Sequence, residues 1–198
     1  MIFKRLKTGI EVSDTDFDTI YSEEIRAVSE IHFTPVEVAR TAAAYLVDKP
    51  GAKVLDIGSG AGKFCMVGAA CTDGFFTGVE RRKNLFQLSE ILSKSHSLGN
   101  TDFIHADIME IEFPAFNAIY FFNSFYENLF QKEAIDDSVN LDRKSYAIYS
   151  QFVREQLCKM PVGTRLATYF SYLNEVPMSY KVQAIHFDDK LKLWEKKA

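Results

Sequence analysis

The chain has 198 residues, of which 47% are hydrophobic, enough for one globular domain with a single sizeable core. Its formal net charge of −4 supplies no overall basic field for loose attachment to nucleic acid. Cys65, Cys71 and Cys158 follow no metal-ligand spacing and leave an odd count, so reduced, buried thiols are expected rather than a disulfide framework or a metal centre.

Lys4, Arg5 and Lys7 are followed by no apolar run of export-leader type. No window approaches a transmembrane span either, so a soluble cytoplasmic protein is expected. From Asp16 to Ile31, the apolar residues Phe17, Tyr21, Ile25 and Val28 recur at three- and four-residue steps, predicting a helix. Phe33-Thr34-Pro35-Val36-Glu37 reads as a capping box, with Thr34 at the N-cap, Pro35 at N1 and Glu37 at N3, opening a helix over 36–47. Pro50-Gly51 stops that helix.

The stretch Lys53 to Phe64, KVLDIGSGAGKF, is the most informative in the chain. An apolar strand, 54–57, carries one acid, Asp56, into a loop with Gly58, Ser59, Gly60 and Gly62, and a helical pattern follows at once. Strand, glycine loop and helix bring backbone N–H groups and a helix N-terminus up to a ligand. A phosphate-binding P-loop needs a Gly where Ile57 stands and a hydroxyl where Phe64 stands. A dinucleotide fingerprint meets Lys63 where its last Gly belongs. What remains is Asp-x-Gly-x-Gly-x-Gly, whose acid repels a pyrophosphate but suits an ammonium or sulfonium ligand. A glycine turn that only packs the helix on the sheet is the plain alternative.

This stretch resembles motif I of the Rossmann-like, class I methyltransferases that use S-adenosylmethionine (SAM). The resemblance implies an α/β fold: a seven-stranded, mostly parallel sheet with helices on both faces and a C-terminal antiparallel strand pair. It also implies that residues 1–33 cover the cofactor and help to form the substrate mouth of a single domain spanning 1–198. Dot1-like protein methyltransferases carry a similar Thr-containing turn before motif I, which makes Thr34 a candidate SAM contact as well as a cap.

Residues 75–80 read as strand two, ending in Glu80. A carboxylate there can accept from both hydroxyls of a ribose, with Arg81 beside it; a surface ion pair of Glu80 with Arg81 or Arg82 is the alternative. Residues 82–95 form the next helix, with Leu85, Leu88, Ile91 and Leu92 on one face. Strand three, 101–105, leads to Asp107 and Ile108. The resemblance places the adenine amino group on Asp107 and the ring against Ile108, whereas Asp107 alone reads as an N-cap.

Residues 116–122 form a nearly wholly apolar run, as in a central parallel strand covered on both faces. It ends in Asn123-Ser124-Phe125-Tyr126. The segment resembles the [Asp/Asn]-Pro-Pro-[Tyr/Phe] turn of amino-methylating enzymes at Asn123 and Tyr126, with Ser124 and Phe125 in place of both prolines. It is also similar to an Asn-x-Phe turn of Dot1-like enzymes. Asn123 and Tyr126 are therefore the candidate catalytic residues: the Asn carbonyl orients a substrate amine, and Tyr126 or Phe122 faces the sulfonium.

Residues 129–140 are expected to be a variable lid, 144–160 a helix, 165–170 strand five, and 181–187 with 191–194 a hairpin. Lys190, Lys192, Lys196 and Lys197 read as a solvated strand edge. The function implied is methyl transfer from SAM to an unidentified acceptor, a small molecule or protein side chain rather than nucleic acid. An aminopropyltransferase or a non-catalytic SAM-binding module on the same scaffold is the alternative.

Overall fold

The computed structural model describes residues 2–197. Its helices are α1 (Ile2–Lys7), α2 (Asp14–Asp18), α3 (Glu23–His32), α4 (Val36–Leu46), α5 (Lys63–Cys71), α6 (Lys83–Ser95) and α7 (Arg143–Lys159). Its strands are β1 (Lys53–Ile57), β2 (Phe75–Glu80), β3 (Thr101–His105), β4 (Ala118–Phe122), β5 (Arg165–Tyr169), β6 (Tyr180–His186) and β7 (Leu191–Lys196). They make one seven-stranded sheet ordered β3-β2-β1-β4-β5-β7-β6, in which β1 to β5 are parallel and β7 runs antiparallel to both β5 and β6.

Successive side chains of a strand point to opposite faces, which divides the core in two. Val54, Ala118 and Tyr120 join α4, α5, α6 and the N-terminal helices on one face. Leu55, Ile57, Ile119 and Phe121 pack with α7 on the other. That second face is the thinner: between β3 and β4 the chain forms only short 3-10 turns, at Ile108–Glu110 and Phe113–Ala115. The sheet order reverses between β1 and β4. Ligands of open α/β sheets bind at such a switch point, beyond the carboxyl ends of the strands.

Four local expectations change. The helical stripe over 16–31 is two helices, because Phe17 and Tyr21 bury deeply while Thr19 to Ser22 turn the chain; Tyr21 reaches the glycine loop, its hydroxyl donating to Ala61 O at 3.4 Å. Thr34 does not cap α4. Its hydroxyl pairs with Tyr120 Oη at 2.9 Å, and the Val36 N–H donates instead to Asp14 Oδ1 at 2.9 Å, so another helix supplies the cap. Lys196 is buried rather than solvated, donating to Cys158 O and Met160 O at 2.6 Å each, where a cation stabilises the carbonyl end of α7. Cys65 is buried, whereas Cys158 is exposed. Among the described residues, no helix is long and apolar enough to cross a membrane.

Candidate functional site

A cavity of about 540 Å³ opens at the switch point. Asp56, Gly58, Ser59 and Gly60 line it from β1 and its loop, and Glu80 and Arg81 from the end of β2. Asp107 and Ile108 line it after β3, Asn123 and Tyr126 after β4, and Thr34 from the turn before α4. Residues separated by up to 92 positions in the chain thus meet at one wall because the parallel strands all end there. Gly62 is the exception and lines nothing. It adopts φ +79° at the start of α5, and a Cβ there would come within 2.8 Å of Phe103 and 2.9 Å of Ser89, so this glycine lets helix and sheet close together.

Gly58 interlocks the two loops that matter most. At φ +69° its Cα faces Ser124, and a Cβ would stand 2.6 Å from Ser124 Cβ. The Ser124 hydroxyl in turn donates to Ile57 O. Asn123, at φ 33°, takes the left-handed conformation that asparagine tolerates better than most residues.

The carboxylates are held differently. Glu80 Oε2 accepts the Gly60 N–H at 2.9 Å and Oε1 the Arg82 N–H at 2.7 Å, leaving further lone pairs on each oxygen. Burial pushes the Glu80 carboxyl up, against the pull of these donors and the Arg82 charge. Asp107 accepts the Met109 N–H at 2.9 Å, capping the short turn after β3, and also the Tyr149 hydroxyl. The capping role therefore exists, and it leaves the carboxylate on the cavity wall. The Arg81 guanidinium lies 5.8 Å from the Tyr149 ring centre beside it.

Asp56 is buried, and its Oδ2 accepts a hydrogen bond from the Cys65 thiol at 3.4 Å. Burial raises its carboxyl to about 7, the nearby Glu80 charge adds to the rise, and the thiol opposes it. An unfolded aspartate loses its proton near pH 3.9. Between roughly pH 4 and 7 the folded state binds the extra proton, so this group's contribution to stability falls as pH rises through that window. Asp56→Asn removes the dependence. Its stability should match that of the parent near pH 4 and exceed it increasingly toward pH 7, at a slope approaching about 1.4 kcal/mol per pH unit, read as a widening gap between the two melting temperatures. Parallel melting curves across the window would contradict this.

A second set of residues was not singled out by the sequence. Lys63 is only 2% exposed, and its ammonium lies 2.8 Å from Asp14 Oδ1 and 2.7 Å from Asp18 Oδ1, tying α2 to the start of α5. Arg82 pairs not with Glu80 but with Glu127, and through Nε with Asp136 Oδ1 at 3.0 Å. The expected lid is thereby pinned to the start of α6. Asp136 gains from it: burial alone would raise its carboxyl, but hydrogen bonds from Ser138, Asn84 and Arg82 hold it at about 2. His32 also lines the cavity, its Nδ1 3.5 Å from Glu127 Oε1.

A family model described as a methyltransferase domain matches residues 48–178, about two thirds of the chain. The chain belongs to that family. No curated protein sequence matches it. Among solved structures, the [4+2]-cyclase SpnF is 20% identical with a TM-score of 0.52, over 67% of this chain and 43% of that one. TrmN from Thermus thermophilus is 16% identical with a TM-score of 0.60, over 85% and 51%. An RNA methyltransferase from Salinibacter ruber, in complex with S-adenosyl-L-homocysteine, is 14% identical with a TM-score of 0.50, over 89% and 93%. The chain spans about half the length of the first two of these structures, and at such identities the likeness is one of fold.

SAM is the methyl donor of this family, and the cavity walls suit it. Asp56, Glu80 and Asp107 give the walls an acidic bias matching a cationic adenosyl compound. Ser59 Oγ and Asn123 Oδ1, both buried on the wall, are without a hydrogen-bond partner among the described residues. Buried polar atoms without partners are uncommon in folded proteins, and a bound ligand is one way to satisfy them. Glu80 retains lone pairs for two more donors.

Proposed function

We propose that this methyltransferase moves a methyl group from SAM to an amine-bearing acceptor by direct displacement. When bound, SAM supplies a methyl group already activated by its sulfonium centre. The protein's task is then to align the nucleophile and exclude water. The loop Gly58-Ser59-Gly60 holds the methionine portion, with Asp56 on its ammonium side, and Thr34 keeps that wall in place through Tyr120. Glu80 accepts from the ribose hydroxyls. Asp107 accepts from the adenine amino group, with Ile108 against the ring and Arg81 at its edge. Tyr126 and Phe122 offer aromatic faces to the sulfonium, worth on the order of 1–2 kcal/mol when desolvated.

The observation that carries the acceptor side is Asn123 Oδ1, a buried carbonyl oxygen on the cavity wall without a partner among the described residues. It orients an N–H donor so that the lone pair faces the methyl carbon. A polyamine chain would need a carboxylate to receive it, yet both oxygens of Glu127 are already engaged, by Arg82, His32 and the Ile135 N–H, which counts against the aminopropyl reading. The acidic balance of the chain favours a small molecule or a protein side chain over the phosphate backbone of a nucleic acid.

The test is label transfer from isotopic SAM into fractionated cell extract. Label in one fraction identifies the acceptor class; tight SAM binding with no transfer to any fraction would point to a non-catalytic binding module. Asn123→Ala should slow transfer about 10- to 100-fold, the worth of one buried hydrogen bond, with SAM affinity within about twofold of the parent. Unchanged turnover would remove Asn123 from the mechanism.

A further inference from the structure

Between β3 and β4 the chain makes only short 3-10 turns, so α7 is the helix that packs beside them. Phe152 of α7 meets Phe113 of the second turn edge-on, with ring centres 6.0 Å apart. One helical turn earlier stands Tyr149, on the same face. It is 42 residues from Asp107 in the chain, yet its hydroxyl donates to Asp107 Oδ2. The Tyr149 ring stacks on Phe125, from the turn after Asn123, with centres 5.0 Å and planes 19° apart, and the Arg81 guanidinium lies over it at 5.8 Å. All four residues line the cavity. Burial raises the pKa of the Tyr149 hydroxyl, and the bond to Asp107 and its charge add to the rise, so the proton stays on the phenol.

A carboxylate has no proton to give, so the hydroxyl is the donor in this pair. Its single proton is thereby committed, and the phenolic oxygen has only lone pairs left to offer. The carboxylate is in the same position. Oδ1 accepts the Met109 N–H at 2.9 Å and Oδ2 the hydroxyl, and each oxygen keeps a second lone pair. We infer that Tyr149 is a specificity-determining residue of the cofactor pocket, paired with Asp107 so that the site takes a 6-amino purine and rejects a 6-oxo one. This rests on the reading above that Asp107 receives the adenine amino group. An amino group brings two N–H donors to two acceptors. A 6-oxo base brings a carbonyl oxygen to the same place, acceptor against acceptors, and gains no bond there. Arg81 brings N–H donors to the same corner, so the preference between the two bases reports whether the two acceptors outweigh it.

The experiment titrates S-adenosylhomocysteine and S-inosylhomocysteine, its 6-oxo analogue, calorimetrically into the full chain. The parent should bind the adenosyl compound about 100-fold more tightly. Tyr149→Phe keeps the ring on Phe125 and removes only the hydroxyl. It should weaken the adenosyl compound about 10-fold and the inosyl compound by about twofold at most, so the preference narrows. A merely structural role would weaken both alike and leave their ratio where it was. Because both compounds draw on the same folded population, a loss of stability does not alter that ratio either. Asp107→Asn, which replaces one acceptor by an NH2 group, should erase the preference. If Asp107→Asn erases it while Tyr149→Phe leaves it within about twofold of the parent's, the Tyr149 assignment falls and adenine stays on Asp107. A parent that binds both compounds alike or neither, or a preference that neither substitution changes, overturns both readings together.

Discussion

Glu80→Gln is expected to weaken SAM and S-adenosylhomocysteine binding about 100-fold, a loss of two charge-assisted hydrogen bonds after partial compensation by water. The substitution is isosteric, yet it is harsh here. Both carboxylate oxygens already accept backbone N–H groups, from Gly60 at 2.9 Å and Arg82 at 2.7 Å. A carboxamide has one oxygen and one NH2 group, so one of those buried N–H donors would face another donor. The glycine loop or the start of α6 must then shift, and the ribose loses its anionic acceptor in either case. Arg82 also carries the ion pairs to Glu127 and Asp136, so the disturbance reaches the acceptor side. Calorimetric titration with S-adenosylhomocysteine, beside a melting curve, separates lost binding from lost folding. A folded variant with parental affinity would show that the ribose is held elsewhere.

What the sequence made legible followed from local chemistry. The glycine-rich turn, the apolar run over 116–122 and the acids at three strand ends each carry their meaning within a few residues. The parallel sheet then brings Asp56, Glu80, Asp107 and Asn123 to one cavity without further information. The illegible part consists of partners chosen across long separations. Thr34, Pro35 and Glu37 have the spacing of a capping box, but Tyr120 lies 86 residues away and offers a buried hydroxyl that must be satisfied, so Thr34 turns to it. Lys196 looked like one of several edge lysines, and only the antiparallel docking of β7 beside β5 brings its ammonium to the open carbonyls of α7. His32 stands alone at the end of α3, with no pattern around it to mark it in the sequence. In the fold it meets Glu127, a distant carboxylate that Arg82 also holds.

Lys63 shows the same limit and supports the largest stability prediction. In the sequence it registers only as a mismatch, standing where a dinucleotide fingerprint would have glycine. In the fold its stem runs under the N-terminal helices, its ammonium meets Asp14 and Asp18, and it lies 5.4 Å from the centre of the Phe17 ring. Asp14 is half exposed and contributes little, whereas Asp18, at 14% side-chain exposure, keeps most of its interaction out of water. Lys63→Ala should therefore lower stability by about 2 kcal/mol, the scale of a hydrogen bond to a charged group, and the melting temperature by about 5 °C. The fold itself should survive, because Phe3, Leu6, Phe17 and Tyr21 remain buried against α5 and its neighbours. The loss should be local: amide exchange in residues 14–32 should quicken well before that in α7, which packs in the core on the other face of the sheet. Lys63→Met, which restores the buried stem but not the charge, should recover only the packing part of the deficit. Equal exchange in α3 and α7 after either substitution would mean that the ion pairs ornament a segment held by its aromatic residues alone, and that Phe33 owes its position over Gly60 to packing rather than to charge.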